Sequence, residues 1–80
     1  MSVTDLRQAL LQALYDHPGA HATTELMELA GGVAEDWKEN DVKHALDGLA
    51  DANLVRWEAR GDHAWVLTAR GQDQLTSSRR

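Results

Sequence analysis

The side chains best equipped for chemistry are four histidines, His17, His21, His44 and His63, and the chain has no cysteine to join them. His17 and His21 lie four apart, a spacing that on a helix would aim two imidazoles at one metal. Pro18 and Gly19 between them break any helix, so the pair reads as a solvated loop. His44 and His63 fall in different elements and would meet only if a helix and a hairpin tip touched. A nucleophile is missing. The serines are Ser2, Ser77 and Ser78, all near the ends, and no acid–base pair sits in a recognisable motif. Gly31-Gly32 follows a helical pattern, whereas a phosphate-cradling loop follows a strand. Arg60-Gly61-Asp62 spells an adhesion tripeptide but reads as a turn. The expectation is a protein that is not an enzyme and holds no metal or cofactor.

The elements that must position these residues are bounded by size. Eighty residues make one domain, close to the lower limit for a core that folds without covalent help. Ile, Phe and Cys are absent, and Trp37, Trp57 and Trp65 are the bulkiest side chains. Without cysteine, neither a disulfide nor a thiolate metal site can staple the fold, so helix packing, or a partner subunit, must stabilise it. No apolar run is long enough to span a membrane, and the start lacks the pattern of a secretory leader, so a cytoplasmic location is expected. The net charge of −5 is unevenly spread: residues 1–52 hold 3 basic and 10 acidic side chains, residues 53–80 hold 5 basic and 3 acidic.

Val3, Leu6, Leu10, Ala13 and Leu14 recur at intervals of three and four, an amphipathic helix over residues 3–16 that His17, Pro18 and Gly19 stop. Ser2 and Asp5 resemble a capping box. Leu11 and Tyr15 widen the apolar stripe, which fits deep burial within the domain or a homodimer contact. A shorter helix is expected from about Thr24 to Ala30, capped by Thr23 or Thr24, with Leu26, Leu29 and Ala30 inward and Gly31 and Gly32 ending it. Val33 to Lys38 reads as a connecting loop in which Trp37 covers an edge of the core, with a ligand or partner contact as the alternative. The third helix runs from about Glu39 to Ala52 with Val42, Ala45, Leu46 and Leu49 buried, and Asn53 suits the left-handed turn after it. Leu54 to Arg60 and His63 to Thr68 form two strands around Gly61-Asp62. A two-residue turn there pairs Arg60 with His63, Glu58 with Trp65 and Arg56 with Leu67, and leaves Val55, Trp57, Ala59, Ala64 and Val66 on the inner face. Thr68 caps a last helix through about Leu75, and residues 77–80 form a tail.

This α+β, mainly helical order of three helices, a two-stranded hairpin and a short helix is the layout of a winged helix-turn-helix. Val42, Ala45, Leu46, Leu49, Asn53, Leu54 and Val55 resemble the pattern of MarR-like, PadR-like and ArsR-like transcriptional regulators, and Leu67, Thr68 and Gly71 resemble the Leu-Thr-x-x-Gly that follows their wing. The likeness runs from Leu6 to Leu75, and its motifs specify the fold rather than the function.

The resemblance implies that helix three enters the major groove of double-stranded DNA and that the hairpin lies on the backbone. Carried over by position, Asn40, Lys43, His44 and Asp47 face the bases, and Arg56, Arg60 and His63 come from the wing. Lys43 and Asn40 can donate to base edges, and the arginines suit phosphates. Glu35, Asp36, Glu39, Asp41, Asp47 and Asp51 oppose this, giving residues 35–52 a charge of −4 against Lys38 and Lys43, where DNA binding rests on several cationic contacts. Either the acidic side chains turn to solvent while the wing, the tail and a second subunit attract DNA, or the domain is an acidic winged helix that binds a protein. The reading is a small DNA-binding regulator working as a homodimer, with a protein-interaction adaptor as the alternative.

Overall fold

A computed structural model describes residues 3–32, 36–58 and 64–78. Among them are four helices, α1 (Val3–Asp16), α2 (Thr23–Ala30), α3 (Glu39–Asp51) and α4 (Ala69–Ser78), and an antiparallel hairpin of β1 (Val55–Glu58) and β2 (Ala64–Leu67). The fold class is therefore α+β and mainly helical. No helix among the described residues is long and apolar enough to cross a membrane.

The core forms where the apolar stripes of the helices converge. Leu6, Leu10, Leu11, Ala13 and Leu14 of α1, Leu26 of α2, and Val42, Ala45, Leu46 and Leu49 of α3 are buried together with Leu54, Val55, Trp65 and Leu75. Leu11 is enclosed by the chain itself and Tyr15 packs against the core, so the wide stripe of α1 is used within the domain. Val3, expected on the inner face, is instead 46% exposed at the helix start. Trp37 packs against the core as an edge cover, although its indole N–H is buried without an acceptor among the described residues.

The helix ends show which local signals acted. Gly31 at φ 68° closes α2, its N–H donating to Glu28 O at 3.2 Å. The start of α2 corrects the expected cap: Ala22 holds the N-cap position with no side-chain bond, and Thr23 is already helical. The Thr23 hydroxyl is engaged elsewhere, accepting from Trp65 Nε1 at 3.0 Å. At α3, Asp41 accepts from the Lys38 N–H at 3.4 Å, and a carboxylate in the first turn also suits the helix dipole. Asn53 takes φ 63° after α3, the left-handed geometry expected of it. The capping box proposed for Ser2, and Val33, Ala34 and Glu35 of the expected loop, lie outside the described residues.

A compact junction locks α3 and the hairpin to α4. Thr68 Oγ1 donates to Asn53 O at 2.6 Å and accepts from the Gly71 N–H at 3.1 Å, and the Thr68 N–H donates to Leu54 O at 3.2 Å. Gly71 is buried so close to the Leu54 carbonyl and to Leu67 Cδ1 that a side chain there would collide with backbone. Thr68 thus caps α4 as expected, but the helix continues through Ser78, past the anticipated end at Leu75.

The hairpin register differs by one residue from the expectation. Val55 pairs with Leu67, Arg56 with Val66, Trp57 with Trp65 and Glu58 with Ala64. A two-residue turn at Gly61-Asp62 would set Glu58 opposite Trp65 with six residues between them, whereas the observed pairing leaves five between Glu58 and Ala64, an odd number that an unbroken ladder closed by a two-residue turn cannot have. Because side chains alternate with period two, the shift places Trp57 and Trp65 on the same face, and Trp57 is 39% exposed where burial was expected.

Candidate functional site

Nothing in the sequence pairs His21 with the hairpin, yet its backbone joins it. His21 N donates to Trp65 O at 3.0 Å, and Trp65 N donates to His21 O at 2.8 Å. This isolated antiparallel bridge fastens β2 to the α1–α2 connection and the Thr23–Trp65 bond fastens it to the start of α2, and Trp65 is 2% exposed. Residues 17–20 of the connection are exposed, as a solvated loop would be, whereas His21 is partly buried and pinned by its main chain. The His21 ring contacts the Glu25 carboxylate through Nδ1 and the His17 carbonyl through Nε2, the latter at 2.6 Å. Among the described residues, no three His, Asp or Glu side chains gather as a metal site would require.

Against that fixed base, α3 presents its outer side. At 3.6 residues per turn, Asn40, Lys43, His44, Asp47 and Asp51 fall on one stripe, opposite Val42, Ala45, Leu46 and Leu49. All five are exposed. The structure thus brings together the four residues assigned to the reading helix, and adds Asp51. That addition bears on charge. Two carboxylates, Asp47 and Asp51, share the stripe with one cation, Lys43, so the acidic side chains do not all turn away from the outward face.

Beside the stripe runs a groove of about 250 Å³ lined by Lys43, Asp47, Ala50, Trp57 and Trp65. Trp57 and Trp65 make its aromatic wall, with ring centroids 4.5 Å apart and planes at 70°, the edge-to-face arrangement that the ring quadrupole favours. Lys43 and Asp47 set opposite charges along the same opening. Arg56, in β1, is exposed and contacts the Glu58 carboxylate through its guanidinium, which sets an opposite charge beside it. Arg60 and His63, the other two wing residues, lie outside the described residues.

The sequence reading missed the groove because it placed Trp57 inside and Trp65 on the opposite face. The signal that could have found it is the preference of aromatic side chains to pair across strands: setting Trp57 opposite Trp65 fixes the observed register. The His21–Trp65 bridge had no comparable signal, since a single pair of main-chain bonds leaves no side-chain pattern.

No family model matches the chain, and neither a curated protein nor a solved structure matches it. What the arrangement can do chemically follows from its own residues: a rigidly backed aromatic groove with mixed charge on its rim, flanked by a polar helix face of net negative charge.

Proposed function

We propose that the chain is a winged-helix protein-interaction module that docks a partner protein on the face formed by α3 and the hairpin. The observation that carries this reading is the composition of that face. Trp57 offers partly exposed aromatic surface over a buried Trp65, while the helix beside it bears Asp47 and Asp51 against Lys43. Protein interfaces draw their energy from aromatic anchors set in a polar rim. Duplex DNA instead selects for accumulated positive charge, because affinity rests on counterions released from phosphates. The winged-helix reading is supported by the element order and by the hairpin's attachment to the α1–α2 connection.

The second reading, a DNA-binding transcriptional regulator, is favoured by one observation: Asn40, Lys43, His44 and Asp47 do form a single exposed stripe, and each can hydrogen-bond a base edge. The two readings separate on salt. Mixed-sequence duplex DNA titrated from about 50 to 200 mM salt should show no binding for a protein docker, and binding that weakens steeply for a DNA reader. In the second case, Arg56→Ala and Arg60→Ala should weaken binding uniformly across sequences, and Lys43→Ala should blur sequence preference. Salt-steep binding of this kind would overturn the protein-docking reading.

A further inference from the structure

His21 is placed where its proton count decides how many ties it makes. Its side chain is only 15% exposed. Nδ1 faces a Glu25 carboxylate oxygen and Nε2 faces the His17 carbonyl oxygen. Both partners are acceptors. A neutral imidazole carries one N–H and can donate to one of them, and only the imidazolium donates to both. The same residue's main chain makes both bonds of the bridge to Trp65.

We infer that His21 is a protonation-operated clasp: as an imidazolium it ties the end of α1 to α2 and braces the main-chain bridge that seats β2, and on losing a proton it releases one side-chain tie. The groups facing the ring are consistent with this. Glu25, on α2, is the charged side chain acting on it, the end of α1 contributes the His17 carbonyl, and β2 contributes the uncharged Trp65. Burial lowers the affinity of the ring for its second proton, but the hydrogen bonds to Glu25 and His17 and the Glu25 charge more than offset this, so the pKa is raised from 6.5.

The sign follows from linkage. A histidine whose folded pKa exceeds its unfolded value stabilises the fold fully below the unfolded value near 6.5, and that contribution fades as the pH rises through the folded pKa. Mild acidification therefore tightens the seat of β2, and with it the Trp65 wall of the groove.

The test is an NMR titration of the full chain that follows the His21 ring and the amide exchange of Trp65. The expected results are a His21 midpoint above 6.5, a downward shift of that midpoint in Glu25→Gln, and Trp65 amide protection that falls through the His21 midpoint in the native chain but not in His21→Gln. Glu25 is half-exposed, so Glu25→Gln leaves the core untouched if His21→Gln folds poorly. A native midpoint at or below 6.5, a midpoint unmoved by Glu25→Gln, or the same pH course of Trp65 protection in His21→Gln would overturn the inference.

Discussion

Trp57 stands directly across the β1–β2 ladder from Trp65, ring edge to ring face at a centroid distance of 4.5 Å. The two rings share one contact but have different surroundings. Trp65 is closed in by the core, the Thr23 hydroxyl and the His21 main chain, whereas Trp57 is partly open to solvent beside α3. The pair thus joins the hydrophobic core to the candidate docking surface. The same alignment sets the register of the hairpin.

Truncating these two rings should give unequal results. Trp65→Ala should cost about 3–5 kcal/mol, the usual range for deleting a buried large aromatic. Trp57→Ala should cost about 0.5–1.5 kcal/mol, the scale of one edge-to-face pair, and should abolish partner binding. Chemical denaturation of both variants checks the order; equal losses would contradict the division of roles.

Two glycines in helices should respond oppositely to alanine. At Gly71 an added Cβ meets the Leu54 carbonyl and comes within 2.7 Å of Leu67 Cδ1, so Gly71→Ala should destabilise by about 1–3 kcal/mol through overpacking, despite alanine's better helix propensity. At Gly48 the obstacle is the Arg7 guanidinium, 2.5 Å away, which can swing aside. Gly48→Ala should stabilise by up to about 1 kcal/mol. Thermal melts of the two variants test the contrast.

Asp51 lies in the last turn of α3, where no basic residue offsets it and where a carboxylate opposes the helix dipole. Asp51→Asn should therefore stabilise the fold by about 0.3–1 kcal/mol. On the docking reading the same change should weaken partner binding, because it removes half of the negative charge on the outward stripe. Stability and binding measured on one variant would show whether the two effects run in opposite directions.

The Thr68 junction should be sensitive to loss of a single hydroxyl. Thr68→Val keeps the shape but leaves the Gly71 N–H without its cap and Asn53 O without its donor. A loss of about 0.5–2 kcal/mol is expected, the usual cost of removing an N-cap. Urea denaturation compared with the native chain measures it.

Much of the fold was legible because it rests on periodic apolar spacing. Val42, Ala45, Leu46 and Leu49 define the inward side of α3 from sequence alone, and all four are buried. Asn53 marked the turn because few residues other than glycine accept a positive φ, and Thr68 and Gly71 marked the start of α4. In the structure those two serve one junction, a hydroxyl that bonds across to Asn53 and a missing side chain that admits the Leu54 carbonyl.

The site was less legible because it depends on tertiary placement. Its outward stripe was named by position from the winged-helix resemblance, but the groove required the hairpin register, and the two-residue turn suggested by Gly61-Asp62 is one residue out of step with the observed pairing. Thr23 had the chemistry of a cap and is used instead to hold Trp65, a long-range demand that outweighs a local preference. His21 looked like a loop residue because neither its bridge to Trp65 nor its two ring partners follow from Pro18 and Gly19 beside it.

The most direct measurement is photo-crosslinking in producing cells with p-benzoylphenylalanine in place of Trp57. If the α3–hairpin groove docks a protein, irradiation should give a discrete protein adduct that resists nuclease and is lost when Asp47→Lys and Asp51→Lys reverse the charge of the adjoining stripe. Adducts to nucleic acid that nuclease removes, and that persist or strengthen on the same charge reversal, would contradict it.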